Sequence, residues 1–524
     1  MGKALFGGVS MRKNVVWRVC GAMLGLTLAT SFAAPALAGP FADVGDRQLR
    51  QDVDLLFAAG LIEGPMDSWP LPWAQIDAGL NKAKDGRHLD PYLDAAVKRL
   101  DRLADFAAQR VAAEIRIDAT NAPSVARDFG SLARAKGDAS AKLELNTGIV
   151  SIAVGATVRA GFTAGTDTRH VTLEPSQVAI RLGDWAVYGG YTQEWFGPGH
   201  DGALLFSNNS APFPKAGIKR LLPGTVNLPV LRWLGPIQFE IFGGVLDGPR
   251  KDYSNIIAFG TRLSFSPARG LQIGLNRAQQ LCGDGRPCGL QQITRSFIGI
   301  GNADNPAAGN EAAFKQQAGN QLAGFDLSYV RRFGKVSAKL YFETEAEDSQ
   351  HILIEQFARL VGMTMSGPFG QAGASWTATA EYADTYGAQL FNGTPLQSIF
   401  QSGKTYPGTI YNNSLYTDGF TYRGLPLGYW TAGDSRDLSL SAAVTDTRNR
   451  RWYASVRSVH LNIIDLGNPP RAIFPQPDGT PGPLITNPVS SSSEKFAIVT
   501  AGAELPTRFG DLRVEGRYQS DSPS

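Results

Sequence analysis

From about residue 111 onward, apolar and polar side chains alternate one by one, a period that belongs to β-strands and excludes an amphipathic helix. SAKLYFETEAED is the sharpest case: Ala338, Leu340, Phe342, Thr344 and Ala346 oppose Lys339, Tyr341, Glu343, Glu345 and Glu347. VAAEIRIDAT sets Ala113, Ile115 and Ile117 against Glu114, Arg116 and Asp118, and SIAVGATVRAGF, DLSLSAAVTD and DLRVEGRYQ repeat the pattern. Two architectures use such strands. A soluble sandwich buries the apolar face, whereas a membrane barrel turns it to lipid and points the charged face into a lumen. After residue 38 no stretch approaches the ~18 continuous apolar residues of a spanning helix, so entry into a membrane would be by strands.

The barrel is favoured by three features. The strand pattern runs through residues 111–524 without a linker, aromatics (Tyr329, Trp376, Tyr382, Trp452) fall near strand ends as interface anchors, and the chain opens with a secretory leader. In MRKNVVWRVCGAMLGLTLATSFAAPALA, basic Arg12, Lys13 and Arg18 precede an apolar run and a small-residue cleavage site ending at Ala38. Residues 1–38 are therefore expected to be a signal peptide, with Met11 as its true start. At about 22–25 residues per strand and loop, the remainder predicts an even number of strands in the range 16–18.

Residues 39–110 differ. Leu49, Val53, Leu56 and Phe57, then Ile76 and Leu80, then Leu93, Val97, Leu100, Leu103 and Phe106 recur at helical spacing, with Asp90 and Pro91 opening the third run. They predict a small three-helix bundle, its apolar stripes being core. The domain boundaries expected are thus 1–38, 39–110 and 111–524.

Removing the leader takes Lys3, Arg12, Lys13 and Arg18 and no acid, leaving 46 basic against 47 acidic residues. A nucleic-acid partner has no electrostatic support. Cys282 and Cys288, in CGDGRPC, predict a disulfide-closed loop in an oxidising compartment. No metal or cofactor motif accompanies them. Among the five histidines (His88, His170, His200, His351, His460), only His200 beside Asp201 suggests a catalytic pair. In a Gly-rich loop two adjacent polar residues read as turn formers, so no enzyme is expected.

Two stretches mix flat aromatics with amides, the chemistry that meets sugar rings and hydroxyls. The first carries Trp185, Tyr191, Trp195, Asn208 and Asn209; the second, TYPGTIYNNSLYTDGFTYRG, carries Tyr411, Asn412, Tyr416, Tyr422 and Arg423. The bland reading, scaffold loops of a large barrel, weighs equally.

GGYTQEWFGPGHDGALLFSNNSAPFP, WLGPIQFEIFGGVLDGPR and YTDGFTYRGLPLGYWTAGDSRDLSLSAAV, in that order, resemble the capsule assembly protein Wzi family. The family's W-x-G-P-G element falls on Trp195, Gly197, Pro198 and Gly199, its S-N-N element on Ser207, Asn208, Asn209 and Pro212, and its W-L-G-P strand start on Trp233, Gly235 and Pro236. The resemblance covers Phe41 to Tyr518; QSDSPS at the end and CGDGRPC are not part of it. It implies an eighteen-stranded outer-membrane β-barrel of a Gram-negative bacterium, with a periplasmic helical bundle and a plugged lumen. It implies a non-catalytic lectin that holds capsular or another surface polysaccharide. The partners expected are that polymer and outer-membrane lipid, with the protein a monomer. A diffusion channel for sugars or anions is the rival reading.

Overall fold

The computed structural model describes residues 3–5, 9–14, 39–86, 88–130, 132–162, 167–229, 231–297, 319–347, 357–388, 407–413, 415–465, 471–472, 484–485 and 487–521. Most of the expected leader, and His351, lie outside them.

Three helices come first: α1 (Arg47–Ala58), α2 (Trp73–Lys84) and α3 (Pro91–Ala107). Asp46 caps α1 by accepting from the Leu49 N–H at 2.9 Å. Asp90 precedes Pro91 as the sequence predicts but makes no capping bond. Its carboxylate is taken instead by Arg332, on a strand. A buried two-pronged pair, Arg99 to Asp52 at 2.6 and 2.7 Å, locks α3 to α1.

Seventeen longer strands follow within one large antiparallel sheet. The first nine are β1 (Val111–Ala119), β2 (Gly137–Asn146), β3 (Val150–Ala160), β4 (Gln177–Leu182), β5 (Trp185–Gly190), β6 (Lys215–Arg220), β7 (Pro236–Leu246), β8 (Ile256–Ala268) and β9 (Leu271–Leu281). The rest are β10 (Gly319–Phe333), β11 (Val336–Glu347), β12 (Phe357–Pro368), β13 (Ser375–Ala388), β14 (Arg436–Thr445), β15 (Arg451–Leu461), β16 (Glu494–Thr507) and β17 (Gly510–Gln519). Each pairs antiparallel with the next, in chain order. The segment Val9–Asn14 pairs antiparallel with both β17 and β1.

Burial across the sheet is inverted relative to a soluble protein. Leu340, Val154 and Ile117 are 56%, 64% and 54% exposed, while Glu343, Arg262 and Asp326 on the other face are at most 1% exposed. Aliphatic side chains thus face outward and charged ones inward, the arrangement lipid favours. Short turns (183–184, 269–270, 334–335, 508–509) alternate with long connections (120–136, 191–214, 282–318, 389–435). Short turns therefore gather at one end and long loops at the other.

The helices sit at the short-turn end. Tyr92 donates to the Lys335 carbonyl at 2.9 Å, Asn146 to that of Ala107 at 3.1 Å, and Arg99 to the Asn449 side chain at 3.2 Å. Two apolar cores fill the interior. One gathers the helix stripes with Phe129, Trp195 and Ala203; the other gathers Phe196, Phe206, Phe213, Tyr416, Phe420 and Tyr422 from the long loops around Phe242 of β7.

Candidate functional site

The connection 191–214 joins those two cores. Trp195 and Phe196 make a two-residue ladder with Trp69 and Ser68, which places the loop inside the sheet against the helical segment. Neighbouring residues then part company: Trp195 enters the helix core, where its ring meets Phe129 edge-on at 5.3 Å, and Phe196 enters the loop core beside Phe206 at 5.4 Å. Arg50 of α1 lies over the Phe129 ring at 4.4 Å and donates to the Pro198 carbonyl at 3.0 Å. Gly197 is required twice over. Its φ is +134°, and a Cβ there would stand 2.3 Å from Glu343 Oε2.

Two strand carboxylates hold the loop to the wall. Glu343 on β11 accepts from the Leu204 N–H at 2.7 Å, and Glu381 on β13 accepts from the N–H groups of His200, Asp201 and Gly202 at 2.8, 3.1 and 3.1 Å. A loop without regular structure thereby satisfies its buried backbone donors. The Ser-Asn-Asn element serves the same end. Ser207 donates to the Gly428 carbonyl at 2.6 Å, Asn208 to those of Phe129 and Gly130 at 3.1 and 3.2 Å, and Asn209 to that of Pro426 at 3.0 Å. Arg134 binds the carbonyls of Asn208, Asn209 and Ser210, each at 2.8 Å.

His200 and Asp201 do not work on each other. Asp201 pairs with Arg457 at 2.5 Å, and His200 Nε2 lies 3.5 Å from Asp54. Burial, reinforced by Arg50 and Lys339, holds the His200 pKa well below the ordinary histidine value, so the imidazole is neutral. Lys339 itself is buried and bridges Asp67 and, at 3.7 Å, Asp54.

The other sequence-predicted residues fall in three places. Tyr416, Tyr422 and Tyr411 are buried, donating to the Cys282 carbonyl (2.9 Å), Asp247 (2.6 Å) and the Leu204 carbonyl respectively. Arg423 reaches Asp247 at 3.1 Å, and Tyr191 is half-buried at the start of the plug loop. Cys282 and Cys288 are joined by a disulfide beneath Tyr416. Trp185 and Trp233, by contrast, stand at the short-turn end against Phe239 and Phe265. Gly235, at φ +68°, would bring a Cβ within 2.0 Å of the Ser266 carbonyl, and Pro236 opens β7. Pro212 is half-buried between Ala211 and Phe213, both of the loop core.

An open depression of about 470 Å³ lies at the long-loop end, between residues 249–251, 411–434 and Asn487–Pro488. Arg250 braces it by binding Asp252 and the carbonyls of Thr421 and Gly419 at 2.7 to 3.1 Å. Asn412 and Thr417 line it, and Lys251 stands exposed on its rim. Sequence reasoning missed Glu381, Arg50 and Arg134, the residues that seat the plug. Glu343 was visible within the charged stripe, but its loop partner lies 139 residues away.

Inverted strands, helices at the short-turn end and a loop seated against the charged face define the class: a large antiparallel sheet that packs its inner face on its own chain. Residues 107–462 match the model of the capsule assembly protein Wzi family. The chain belongs to that family. It is 27% identical over 307 residues to an uncharacterized 55.8 kDa protein of the cps region of Klebsiella pneumoniae, a match covering 58% of this chain and 57% of that protein. The match thus spans little more than half of that relative. In structure the chain is similar to Escherichia coli Wzi, described as an outer membrane protein involved in group 1 capsule assembly and a carbohydrate-binding β-barrel. The TM-score is 0.71 at 18% identity, covering 92% of this chain and 99% of the other.

Proposed function

We propose that this protein is a closed outer-membrane barrel in which β17 meets β1 once residues 1–38 have been removed. Its long-loop end holds capsular or another surface polysaccharide at the cell and helps assemble the capsule. The helices face the periplasm, the long loops face outward, the protein acts as a monomer, and it performs no catalysis. The observation that carries this reading is the seated plug. A lumen crossed by Trp195, Phe196 and Phe206, with Glu343 and Glu381 holding the backbone, suits a binding platform better than a sugar or anion channel.

Polymer contact would fall on the depression, where Asn412, Thr417 and Lys251 present polar groups around a floor that includes Tyr411. Weak contacts repeated along a polymer give retention by avidity. Deleting the gene is expected to shift polysaccharide from the cell-bound to the released fraction with total synthesis unchanged; an unchanged partition would overturn the reading. We also read residues 1–38 as a cleaved leader. The intact mass of membrane-extracted protein distinguishes a chain beginning at Gly39 from one that keeps Val9–Asn14 in the sheet.

A further inference from the structure

Behind the plug, between α1 and the inner faces of β12 to β17, lies a chamber of about 120 Å³. That is space for on the order of ten water-sized spheres, too small for an oligosaccharide. Thr379, Ser441, Ser455 and Thr500 line one wall with hydroxyls. Five guanidiniums, of Arg47, Arg50, Arg451, Arg457 and Arg517, face four carboxylates, of Asp54, Asp128, Asp201 and Glu515.

Those carboxylates are already engaged. Asp128 pairs with Arg47 at 2.6 Å and Asp201 with Arg457 at 2.5 Å, while Glu515 and Asp54 pair with Arg513 and Lys339, at 2.5 and 3.7 Å. From beyond the lining, Glu504 pairs with Arg451 at 3.4 Å and Asp437 with Arg457 at 2.6 Å. Arg50 and Arg517 have no carboxylate within ion-pair distance among the described residues. They bind only the carbonyls of Pro198 and Ala122. Five guanidinium and amide nitrogens at the chamber, Arg47 Nη1, Arg50 Nη1, Gln51 Nε2, Arg451 Nε and Arg517 Nε, have no hydrogen-bond acceptor among the described residues, and Arg50, Gln51 and Arg451 are 3%, 6% and 7% exposed. Gln51 Oε1, Asp54 Oδ2 and Asp201 Oδ2 also lack a donor, so water shares the space. Buried cationic donors left unpaired are costly, and a compact anion is what would satisfy both the charge and the donors.

We propose that this chamber binds one small anion, a carboxylate or inorganic oxyanion, held by Arg50, Gln51 and Arg517. The ligand is distinct from the polymer at the long-loop end, and the site does not depend on that reading. The test titrates the detergent-solubilised full chain with sulfate, glucuronate and glucose by calorimetry, alongside anomalous diffraction from crystals soaked in bromide. Saturable one-site binding of an anion is expected, weakened at least tenfold in Arg517→Gln and Gln51→Leu, with glucose silent. Sulfate alone would identify an inorganic oxyanion; glucuronate as well would admit a sugar acid. Should either variant fail to fold, a bromide peak inside the wild-type chamber still supports the site. Absence of anion binding, an empty chamber in the bromide map, or affinity unchanged in both folded variants would overturn it.

Discussion

The plug loop 191–214 and the long-loop depression are built from the same residue types, yet they use them in opposite ways. In the plug, Asn208, Asn209 and Ser207 spend their donors on backbone carbonyls, and the aromatics are buried in one core or the other. At the depression, Lys251 stands exposed on the rim and Asn412 and Thr417 line an open surface. An amide-and-aromatic composition therefore does not identify a ligand surface. What separates the two is whether the polar groups have backbone to satisfy.

The largest effect expected from the plug follows Trp195→Ala, which removes a fully buried indole and its bond to the Gly199 carbonyl at 3.0 Å. The cost is about 3–5 kcal/mol, read as a lower urea midpoint in detergent. Next comes Glu381→Ala, which strips the acceptor from three loop N–H groups. A loss of about 2–4 kcal/mol is expected, since each orphaned donor costs about 1–3 kcal/mol and the three relax together. In planar bilayers the wild-type protein should stay silent, while Glu381→Ala should show conductance steps as the loop leaves its seat. Silence in both would mean that the two cores, rather than the carboxylates, hold the plug.

A matched pair of amides tests the contrast directly. Asn209→Ala should cost about 1–2 kcal/mol by orphaning the Pro426 carbonyl, and leave polysaccharide retention per folded molecule unchanged. Asn412→Ala should leave stability within about 0.5 kcal/mol and lower retention. The reverse pattern would move the contact surface to the plug.

Much of the fold was legible because its signals are local. The period of 2.0 put Lys339, Tyr341 and Glu343 on one face of β11, and all three are buried there. Gly197 was legible as a motif residue, but its reason, the approach of Glu343, is a contact across 146 positions that no spacing rule reaches. Asp90 shows the same limit. Its sequence neighbours mark a helix cap, and a distant Arg332 takes the carboxylate. The aromatic stretches misled in one respect for a physical reason. Trp185 and Tyr191 are close in sequence but lie toward opposite ends of β5, so sequence proximity did not mean one surface.

The smallest effect expected is a pH dependence confined to the plug. His200 is on the loop, and its folded pKa lies below the ordinary 6.5 because burial, Arg50 and Lys339 all oppose a positive ring. Above pH 6.5 neither folded nor unfolded histidine carries the proton, and His200 leaves stability unchanged. As pH falls below that value the unfolded chain takes a proton that the folded chain refuses, so stability declines toward the folded pKa by at most about 1.4 kcal/mol per unit. Asp54, 3.5 Å from the ring, pushes the other way: burial raises its pKa, so acid favours its folded, protonated form. The wild-type curve alone therefore mixes two signs. Subtracting the curve of His200→Gln isolates the imidazole, and the difference should open only below pH 6.5. A difference that stays flat down to pH 5 would mean that Asp54 holds the proton on His200, and that the plug is seated by an ion pair rather than by a neutral ring.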